Sequence, residues 1–487
     1  MNTSCQTANG IDPIADFEVR HSPTNYDSQT PDNELADGPL PAAATRNACK
    51  LCSPLGAAMV FKGIRGCLPF LHGSQGCATY IRRYMISHFR EPVDVASSSF
   101  SEDDAIFGGA RNFAEGVDNV ITQYQPEMIG VATTCLSETI GDNMLGMIKT
   151  YQDKHSGEGP PLVHVSTPAY TGTHSDGYYA AIKGVLKAFV KPVAVHQPRH
   201  VNIIPPMVSC ADLRHLRELC GLYDLDATLL PDYSKTLEGG SWDAYHRISP
   251  GGTPRADIRE MGAAAATLEI GHSQTTDPRS AGEWLACEHG VARHALGWPL
   301  GIRLADQLFT SLAQISGRRM PDSLAQERGR LIDSYVDAHK YLSRKRAVIY
   351  GEPDLVVALA AFLSEIGIRP VVCATGAKVK NWTGVLNQEI EGGCGDVDAI
   401  AGADHARIFA AARQQRPDLI VGSSKGYPLA RELGIPLVRI GFPIHDRIGA
   451  QRMLSTGYRG TQQLFDRIVN ALLEQRQDVS DTGYSYL

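Results

Sequence analysis

The sequence predicts an α/β protein with three Rossmann-like domains, each a parallel sheet flanked by helices. A chain of 487 residues is too long for one hydrophobic core, because cores stop growing at roughly 250–300 residues and longer chains divide into domains. Short apolar segments typical of buried strands also alternate with segments of helical spacing. This alternation is typical of parallel sheets that are covered by helices.

The first predicted domain comprises residues 47–198. Its strand candidates are residues 67–71, 128–133, 162–166 and 193–195, and residues 57–61 and 78–86 are apolar with helical spacing. Apolar runs of four to eight residues are typical of strands that are buried on both faces.

The second predicted domain comprises residues 199–301, and a helical connection over 302–343 leads to a third domain over 344–487. The strand candidates are 201–204, 227–230 and 266–270 in the second domain, and 346–349, 370–373, 418–421 and 436–440 in the third. The predicted helices are 213–222, 354–366, 403–414 and 462–474. The last helix is amphipathic, with Leu464, Ile468 and Leu472 on one face.

Composition and charge exclude several classes of protein. The net charge of −7 and the lack of a Lys/Arg-rich stripe argue against nucleic-acid binding. Eleven cysteines, an odd number spread over the chain, do not form a secreted disulfide framework. The N-terminus has no signal-peptide pattern, and even the apolar run 355–363 is too short to span a membrane. We expect a cytoplasmic protein in a reducing compartment.

Residues 1–46 differ in composition from the rest of the chain. The first 45 residues are rich in Pro, Asp, Asn, Ser and Thr, and they contain seven acidic residues but one basic residue, Arg20. Such a segment cannot bury enough apolar surface to order itself. It is therefore either a disordered tail or an arm that orders against a partner, and the sequence favours neither.

Three cysteines lie where a buried strand or a loop is followed by a helix: Cys52, Cys77 and Cys135. A thiolate at the start of a helix is stabilised by exposed N–H groups and the helix dipole. Gly73 and Gly76 in the loop before Cys77 allow the backbone to approach a ligand closely. A single buried cysteine is more often a small packing residue. Three at matching junctions favour ligation, and soft thiolates suit iron–sulfur clusters.

Nucleotide binding is not supported. No G-x-G-x-x-G follows the first strand of a predicted domain, and G-x-x-x-x-G-K-[ST] does not occur. The segment 422–426, Gly-Ser-Ser-Lys-Gly, could hold an anion, but such a segment is more often a plain strand–helix turn.

Several stretches resemble the β-type subunits of nitrogenase component 1 and its relatives, and the resemblance covers residues 47–475. In the first half these are 52–57 (CSPLGA), 72–77 (HGSQGC), 88–92 (HFREP), 107–109 (FGG), 134–142 and 167–168. Further along they are 327–330 (ERGR), 350–354 (YGEPD), 441–447 and 457–458. Together they are specific for the superfamily, although less so for one member.

The resemblance implies that Cys52, Cys77 and Cys135 bind iron of a P-cluster, an 8Fe-7S cluster shared with an α-type subunit, with a 4Fe-4S cluster as the alternative. The intervals of 25 and 58 residues agree with the family pattern. Scaffold subunits for assembly of the iron–molybdenum cofactor typically keep only part of this triad. The complete triad therefore favours an electron-transferring catalytic complex, with the scaffold as the alternative.

The resemblance also implies partners. An α-type subunit would complete an α2β2 heterotetramer and carry the active-site metallocluster, and an ATP-hydrolysing iron protein would deliver the electrons. No catalytic residue is expected in this chain. The substrate could be dinitrogen or another small molecule, as in the nitrogenase-like branch that reduces methylthio-alkanes. A pyrrole-ring reductase subunit, usually with a smaller cluster, shares the fold.

Two departures from the family pattern concern the cluster. The serine that can ligate the oxidised P-cluster is replaced by Ala169. Cys49, three residues before Cys52, is a possible additional ligand, although a structural role is the more common one for an unpaired cysteine. The cysteines that match no ligand motif are expected to be packing residues: Cys67, Cys210, Cys220, Cys287, Cys373 and Cys394.

Other polar residues near the triad allow two interpretations. His72 and His88 could ligate metal, but a hydrogen-bonding role that orients neighbouring groups is favoured. Four arginines could balance cluster charge or simply solvate helix faces: Arg82, Arg83, Arg90 and Arg111. Residues 102–104, Glu-Asp-Asp, are typical of a helix start rather than of an acid–base pair.

Overall fold

In a computed structural model the chain is described for residues 47–192, 197–275, 277, 279–390, 392–393, 395 and 397–482. The acidic arm, Cys5, Cys394 and the predicted strand 193–195 lie outside these described residues.

The first sheet is parallel, and its described strands run in the order β2-β1-β3-β4. These strands are β1 (Cys67–His72), β2 (Ala96–Ser97), β3 (Met128–Thr133) and β4 (Leu162–Val165). Its helices are α1 (Ser53–Lys62), α2 (Gln75–Phe89), α3 (Glu102–Phe107), α4 (Ala110–Tyr124), α5 (Cys135–Ile140), α6 (Met144–Lys154) and α7 (His174–Phe189).

The second sheet is also parallel, with the described strands in the order β6-β5-β7-β8. They are β5 (Gln197–Ile204), β6 (Asp226–Leu229), β7 (Ala264–Ile270) and β8 (Ala292–Leu296). The helices of this part are α8 (Cys210–Leu222), α9 (Arg255–Glu260), α10 (His272–Thr275) and α11 (Ala281–His289). The helical connection consists of α12 (Gly301–Ser316) and α13 (Asp322–Leu342), separated at Gly317, which has a φ of +68°.

The third sheet has the parallel order β11-β10-β9-β12-β13 in the described part of the chain. Its strands are β9 (Arg346–Gly351), β10 (Arg369–Thr375), β11 (Asp398–Ala401), β12 (Leu419–Gly422) and β13 (Leu437–Arg439). Its helices are α14 (Pro353–Glu365), α15 (Trp382–Glu389), α16 (His405–Gln415), α17 (Tyr427–Leu433) and α18 (Gly457–Asp478). The predicted fold class, parallel sheets flanked by helices in three units, is confirmed.

The three sheets share a hydrophobic core. One cluster of buried side chains contains Val165 of β4, Ile203 of β5 and Ile349 of β9. Separate clusters fill the space between the first sheet and α4 and α6, and between the third sheet and α16 and α17. Because the main core is continuous, the boundaries at 198, 301 and 343 stay a prediction.

Helices α1 and α7 cross at very close range. A Cβ at Gly56 would overlap the carbonyl oxygen of His174 and lie 2.6 Å from the backbone nitrogen of Tyr178. A Cβ at Gly177 would overlap the carbonyl oxygen of Ser53. The two glycines therefore allow backbone-to-backbone packing, and this contact fixes the first turn of α1.

In the described part of the chain, no helix combines the length and the apolar character that a membrane span requires. The most apolar helix, α14, has 13 residues, whereas a span needs about 20.

Candidate functional site

Each of the three predicted ligand cysteines lies at the start of a helix. Cys52 is the N-cap residue of α1, Cys77 is the third residue of α2, and Cys135 is the first residue of α5. Strands β1 and β3 pair in register from Cys67 with Met128 to His72 with Thr133. The carboxyl ends of these two strands therefore lie side by side, and they position the loops that lead to Cys77 and Cys135.

The Cys52 thiol interacts with both of the other thiols. Burial raises the pKa of Cys52, and the neighbouring Cys135 and Cys77 thiols raise it further, since each would carry a negative charge when ionised. Cys52 and Cys77 are half-buried and Cys135 is exposed, so the group opens toward the surface. Among the described residues, no three or more His, Cys, Asp or Glu side chains are arranged around a single ion position.

Hydrogen-bond donors point at each sulfur. The hydroxyl of Tyr80 donates to Cys52, the Ser74 hydroxyl lies 3.6 Å from the Cys77 Sγ, and the Ala169 N–H lies 3.2 Å from the Cys135 Sγ. Donors of this kind stabilise thiolates and tune the potential of a cluster that thiolates hold. At the position of the family serine, this chain thus offers the sulfur a backbone N–H and no side-chain oxygen.

The loops before Cys77 and Cys135 are joined through Gly73 and Thr134. A Cβ at Gly73 would overlap the Thr134 side chain. The Thr134 N–H and hydroxyl both donate to the His72 carbonyl oxygen, at 3.2 and 3.1 Å. Gly76 differs, because a Cβ there would meet nothing nearer than the Ser74 hydroxyl at 3.8 Å. The close approach expected of Gly73 is therefore to the other cysteine loop, and Gly76 faces open space.

The backbone of Leu51, immediately before Cys52, is held by two hydrogen bonds to the buried residue His174, which the sequence analysis did not identify. The Leu51 N–H donates to His174 Nδ1 at 3.2 Å, and the His174 N–H donates to the Leu51 carbonyl oxygen at 3.1 Å. His174 Nε2 lies 2.7 Å from a Glu352 carboxylate oxygen. Because Nδ1 accepts from Leu51, Nε2 carries the proton and donates to Glu352. Glu352 lies within the YGEPD stretch, and this motif is the sequence feature from which a role for Glu352 could have been predicted.

His72 and His88 are buried and engaged with other protein groups. His72 Nε2 lies 2.9 Å from a carboxylate oxygen of Asp142, and burial lowers the His72 pKa. His88 Nδ1 accepts the Ile444 N–H at 2.9 Å, and burial lowers the His88 pKa to about 3. Both histidines therefore orient loops, and this placement favours the hydrogen-bonding interpretation over ligation.

Cys49 lies against the third sheet and not within the triad. Burial, followed by the nearby Glu352 carboxylate, raises its pKa to about 12, and the Gly376 N–H donates to its sulfur. Tyr350 and Lys425 are further neighbours. This position favours a structural role. Four of the cysteines that match no ligand motif, Cys67, Cys210, Cys220 and Cys373, are buried, whereas Cys287 is exposed on α11.

Three of the four arginines considered near the triad have local partners. Arg82 and Arg90 donate to backbone carbonyl oxygens at 3.0 and 2.8 Å, and Arg111 pairs with Glu115 on its own helix. The Asp104 carboxylate accepts from the N–H and hydroxyl of the residue that caps α3. Residues 102–104 are thus a helix start, as predicted.

An apolar patch lies beside Cys135 and consists of Ile106, Phe107, Leu136 and Leu145. Phe107 is 84% exposed, Ile106 is 73% exposed and Leu145 is 71% exposed. Helix α3 contacts α5. The Gly109 N–H donates to a carboxylate oxygen of Asp142, which lies two residues before α6. Large exposed apolar side chains gathered at one place mark an interaction surface.

Three parallel sheets in one chain, with thiols gathered at helix starts beyond the carboxyl edge of the first sheet, define the class as an α/β protein of oxidoreductase type. Residues 52–473 match the family described as nitrogenase component 1 type oxidoreductase, and the chain belongs to this family.

The relatives specify the type of subunit. The chain is 33% identical to the nitrogenase molybdenum-iron protein beta chain of Methanococcus maripaludis, over 90% of this chain and 96% of the relative. It is also 33% identical to the beta chain of Clostridium pasteurianum, over 88% of this chain and 93% of the relative. The solved structure of nitrogenase Cp1 at pH 6.5 matches with a TM-score of 0.87 and 31% identity, over 93% of this chain and 98% of that chain. The resemblance to β-type subunits is confirmed.

A more distant likeness concerns the fold alone. A chain in the structure of nitrogenase Cp1 at pH 5 matches with a TM-score of 0.64 and 15% identity.

Proposed function

We propose that this β-type chain relays electrons within a nitrogenase-like, ATP-dependent reductase complex. It would hold half of an interfacial P-cluster-like 8Fe-7S cluster through Cys52, Cys77 and Cys135. The observation that carries this proposal is that three cysteines lie at three helix starts, with Cys52 close enough to interact with both Cys77 and Cys135 and with Cys135 exposed.

The surface position of the triad supports a shared cluster. Three thiolates leave most irons of an eight-iron cluster without a protein ligand, so further thiolates have to come from a second chain. An α-type partner that covers Cys135 would supply them and would bury the remaining polar sulfur surface. We therefore propose an α2β2 heterotetramer in a reducing, cytoplasmic compartment, where thiols persist unpaired.

The apolar patch supports docking of the electron donor, an ATP-hydrolysing iron protein. The patch and Cys135 share helix α5, which begins at Cys135 and carries Leu136. A donor seated on Phe107 and Leu136 would thus lie beside the cluster. The reduction itself would occur at a metallocluster on the α-type partner, with dinitrogen or another small molecule as substrate.

The test compares thiol removal inside and outside the triad in the anaerobically purified complex. Cys52→Ala, Cys77→Ala and Cys135→Ala should each lose most of the iron and substrate reduction, because each thiolate is both a ligand and a counter-charge. Cys210→Ala is the matched control, since Cys210 is fully buried on α8 and lies away from the triad. It should keep its iron and lose about 1 kcal/mol or less of stability, the low end for small core truncations.

The measurements are iron per heterodimer, the EPR spectrum and substrate reduction. Full iron and activity in Cys77→Ala, or equal iron loss in Cys210→Ala, would contradict the ligand assignment. A single four-iron cluster in the unsubstituted complex would favour the assembly scaffold or a pyrrole-type reductase over electron relay.

A further inference from the structure

A cavity of about 740 Å³ lies between the carboxyl ends of strands from all three sheets. It is lined by the segment after β4 that contains Tyr170 and Thr171, by His272 after β7, and by Gly376 and Lys378 after β10. In parallel α/β sheets, ligands bind beyond the carboxyl ends of the strands. The cavity borders the thiol triad, since Lys50 of its lining acts on Cys52 and Tyr170 follows the Ala169 N–H that donates to Cys135. The proposed electron relay does not use the space inside it.

The charged residues around this cavity are mostly cations. Among the described residues, its lining contains five basic side chains, Lys50, Lys183, Arg279, Lys378 and Lys380, and two acidic ones, Asp176 and Asp277. Within the part of the chain that the structure describes, Lys50, Lys378 and Lys380 form no ion pair with a carboxylate.

The two acidic side chains are already engaged. The Asp176 carboxylate accepts from the Thr173 N–H at 2.6 Å and from the Thr173 hydroxyl at 2.8 Å, which completes the cap of α7. Asp277 accepts from the Arg279 N–H at 2.9 Å. The cavity therefore has an excess of positive charge that the protein itself does not neutralise.

The floor of the cavity is buried and largely apolar. It includes Trp382, Val357 and Tyr179, and the Trp382 indole N–H donates to the Cys373 carbonyl oxygen at 3.0 Å, so the ring is fixed. Ser175 also lines the cavity, and although the residue is buried its hydroxyl makes no hydrogen bond within the described chain. The volume is in the range of small-molecule sites.

We propose that this cavity binds a small multivalent oxyanion, either a polycarboxylate or a phosphorylated metabolite. The carboxylate or phosphate groups would pair with Lys50, Lys378 and Lys380 and accept from the Ser175 hydroxyl, and the carbon skeleton would rest on Trp382. Cation-lined clefts with low-dielectric walls concentrate anions of this kind.

The test is calorimetric titration of the purified complex with three probes: tricarballylate, fructose 1,6-bisphosphate and acetate. Saturable binding of either multivalent probe, at one site per copy of this chain, supports the proposal, and the tighter of the two identifies the ligand chemistry. Acetate should bind at least tenfold more weakly, because it offers a single charge.

Lysine variants locate the site. Lys378→Gln/Lys380→Gln should weaken binding by about tenfold, the effect of two partly exposed charge pairs. Lys149→Gln is the matched control, since Lys149 lies exposed on α6 and outside the cavity, and it should bind as the unsubstituted complex does. The proposal is overturned if no multivalent probe binds saturably, or if the double substitution leaves the affinity unchanged. The titration measures binding and does not require substrate reduction, so its result is independent of the electron-relay proposal.

Discussion

Substituting either glycine at the α1–α7 crossing should destabilise the chain and displace Cys52. In Gly56→Ala the new Cβ would overlap the His174 carbonyl oxygen and lie 2.6 Å from the Tyr178 nitrogen, whereas ordinary contacts begin near 3.4 Å. The helices would have to separate at the crossing, because real Cβ atoms essentially never approach another heavy atom within 3.0 Å. We expect a loss of about 3 kcal/mol or more, at the upper end for overpacking, and the same direction for Gly177→Ala.

The assay is urea unfolding of the complex together with iron per heterodimer. Gly329→Ala on α13 is the matched control, because a Cβ there meets nothing within 4 Å. It should stabilise by about 0.4–1 kcal/mol, since alanine restricts the unfolded chain and favours a helix. Gly56→Ala should also lose iron, because α1 begins at Cys52. A Gly56→Ala complex as stable as Gly329→Ala would refute the packing argument.

Three further predictions concern histidines and the sulfur environment. His88 has a pKa of about 3 in the folded chain and about 6.5 when unfolded. Its contribution to stability is therefore complete above about pH 6.5. That contribution is lost as the pH falls toward 3, by about 1.4 kcal/mol per pH unit. His88→Asn, which keeps an acceptor for the Ile444 N–H, should reduce the difference in urea stability between pH 7 and pH 5; an unchanged difference would contradict the assignment. His174→Phe should remove the hydrogen bond to the Leu51 N–H and alter the EPR spectrum of the cluster. His174→Asn can still accept the Leu51 N–H through its side-chain oxygen and should restore the spectrum in part. Identical spectra in all three proteins would exclude a positioning role. Ala169→Ser should add an ionisable oxygen next to Cys135, so the potential of the oxidised cluster should fall with rising pH in the variant but not in the unsubstituted complex, as measured by redox titration at several pH values.

The buried strands could be predicted from the sequence, but three of the strands at sheet edges, β2, β8 and β11, could not. The run 128–133 was predicted with the bounds that β3 has, because all six residues are buried and apolar or small. Strand β8 (Ala292–Leu296) was missed because four of its five residues are partly or fully exposed, so no apolar run marks it. Strand β11 (Asp398–Ala401), also at an edge, was missed for the same reason.

The positions of the three cysteines at helix starts could likewise be predicted, because each follows a strand or a loop and precedes a helix in a pattern that is visible in the local sequence. The partners that position them could not. His174 and Glu352 are 178 residues apart, and both are remote from Leu51. Contacts of this range depend on how three sheets pack together, which no local pattern encodes. The position of Cys49 against Gly376 has the same origin.

The hydrogen bonds that join Leu51 to His174, and His174 to Glu352, also affect the order of events during synthesis. The ribosome makes Cys52, Cys77 and Cys135 early, but the carboxylate that fixes the backbone before Cys52 belongs to Glu352, about 300 residues further along. The thiols therefore emerge long before their geometry is set. Under the proposed cluster assignment, delivery of iron and sulfide would therefore follow synthesis of the chain as far as Glu352, and the thiols would need protection from oxidation until then.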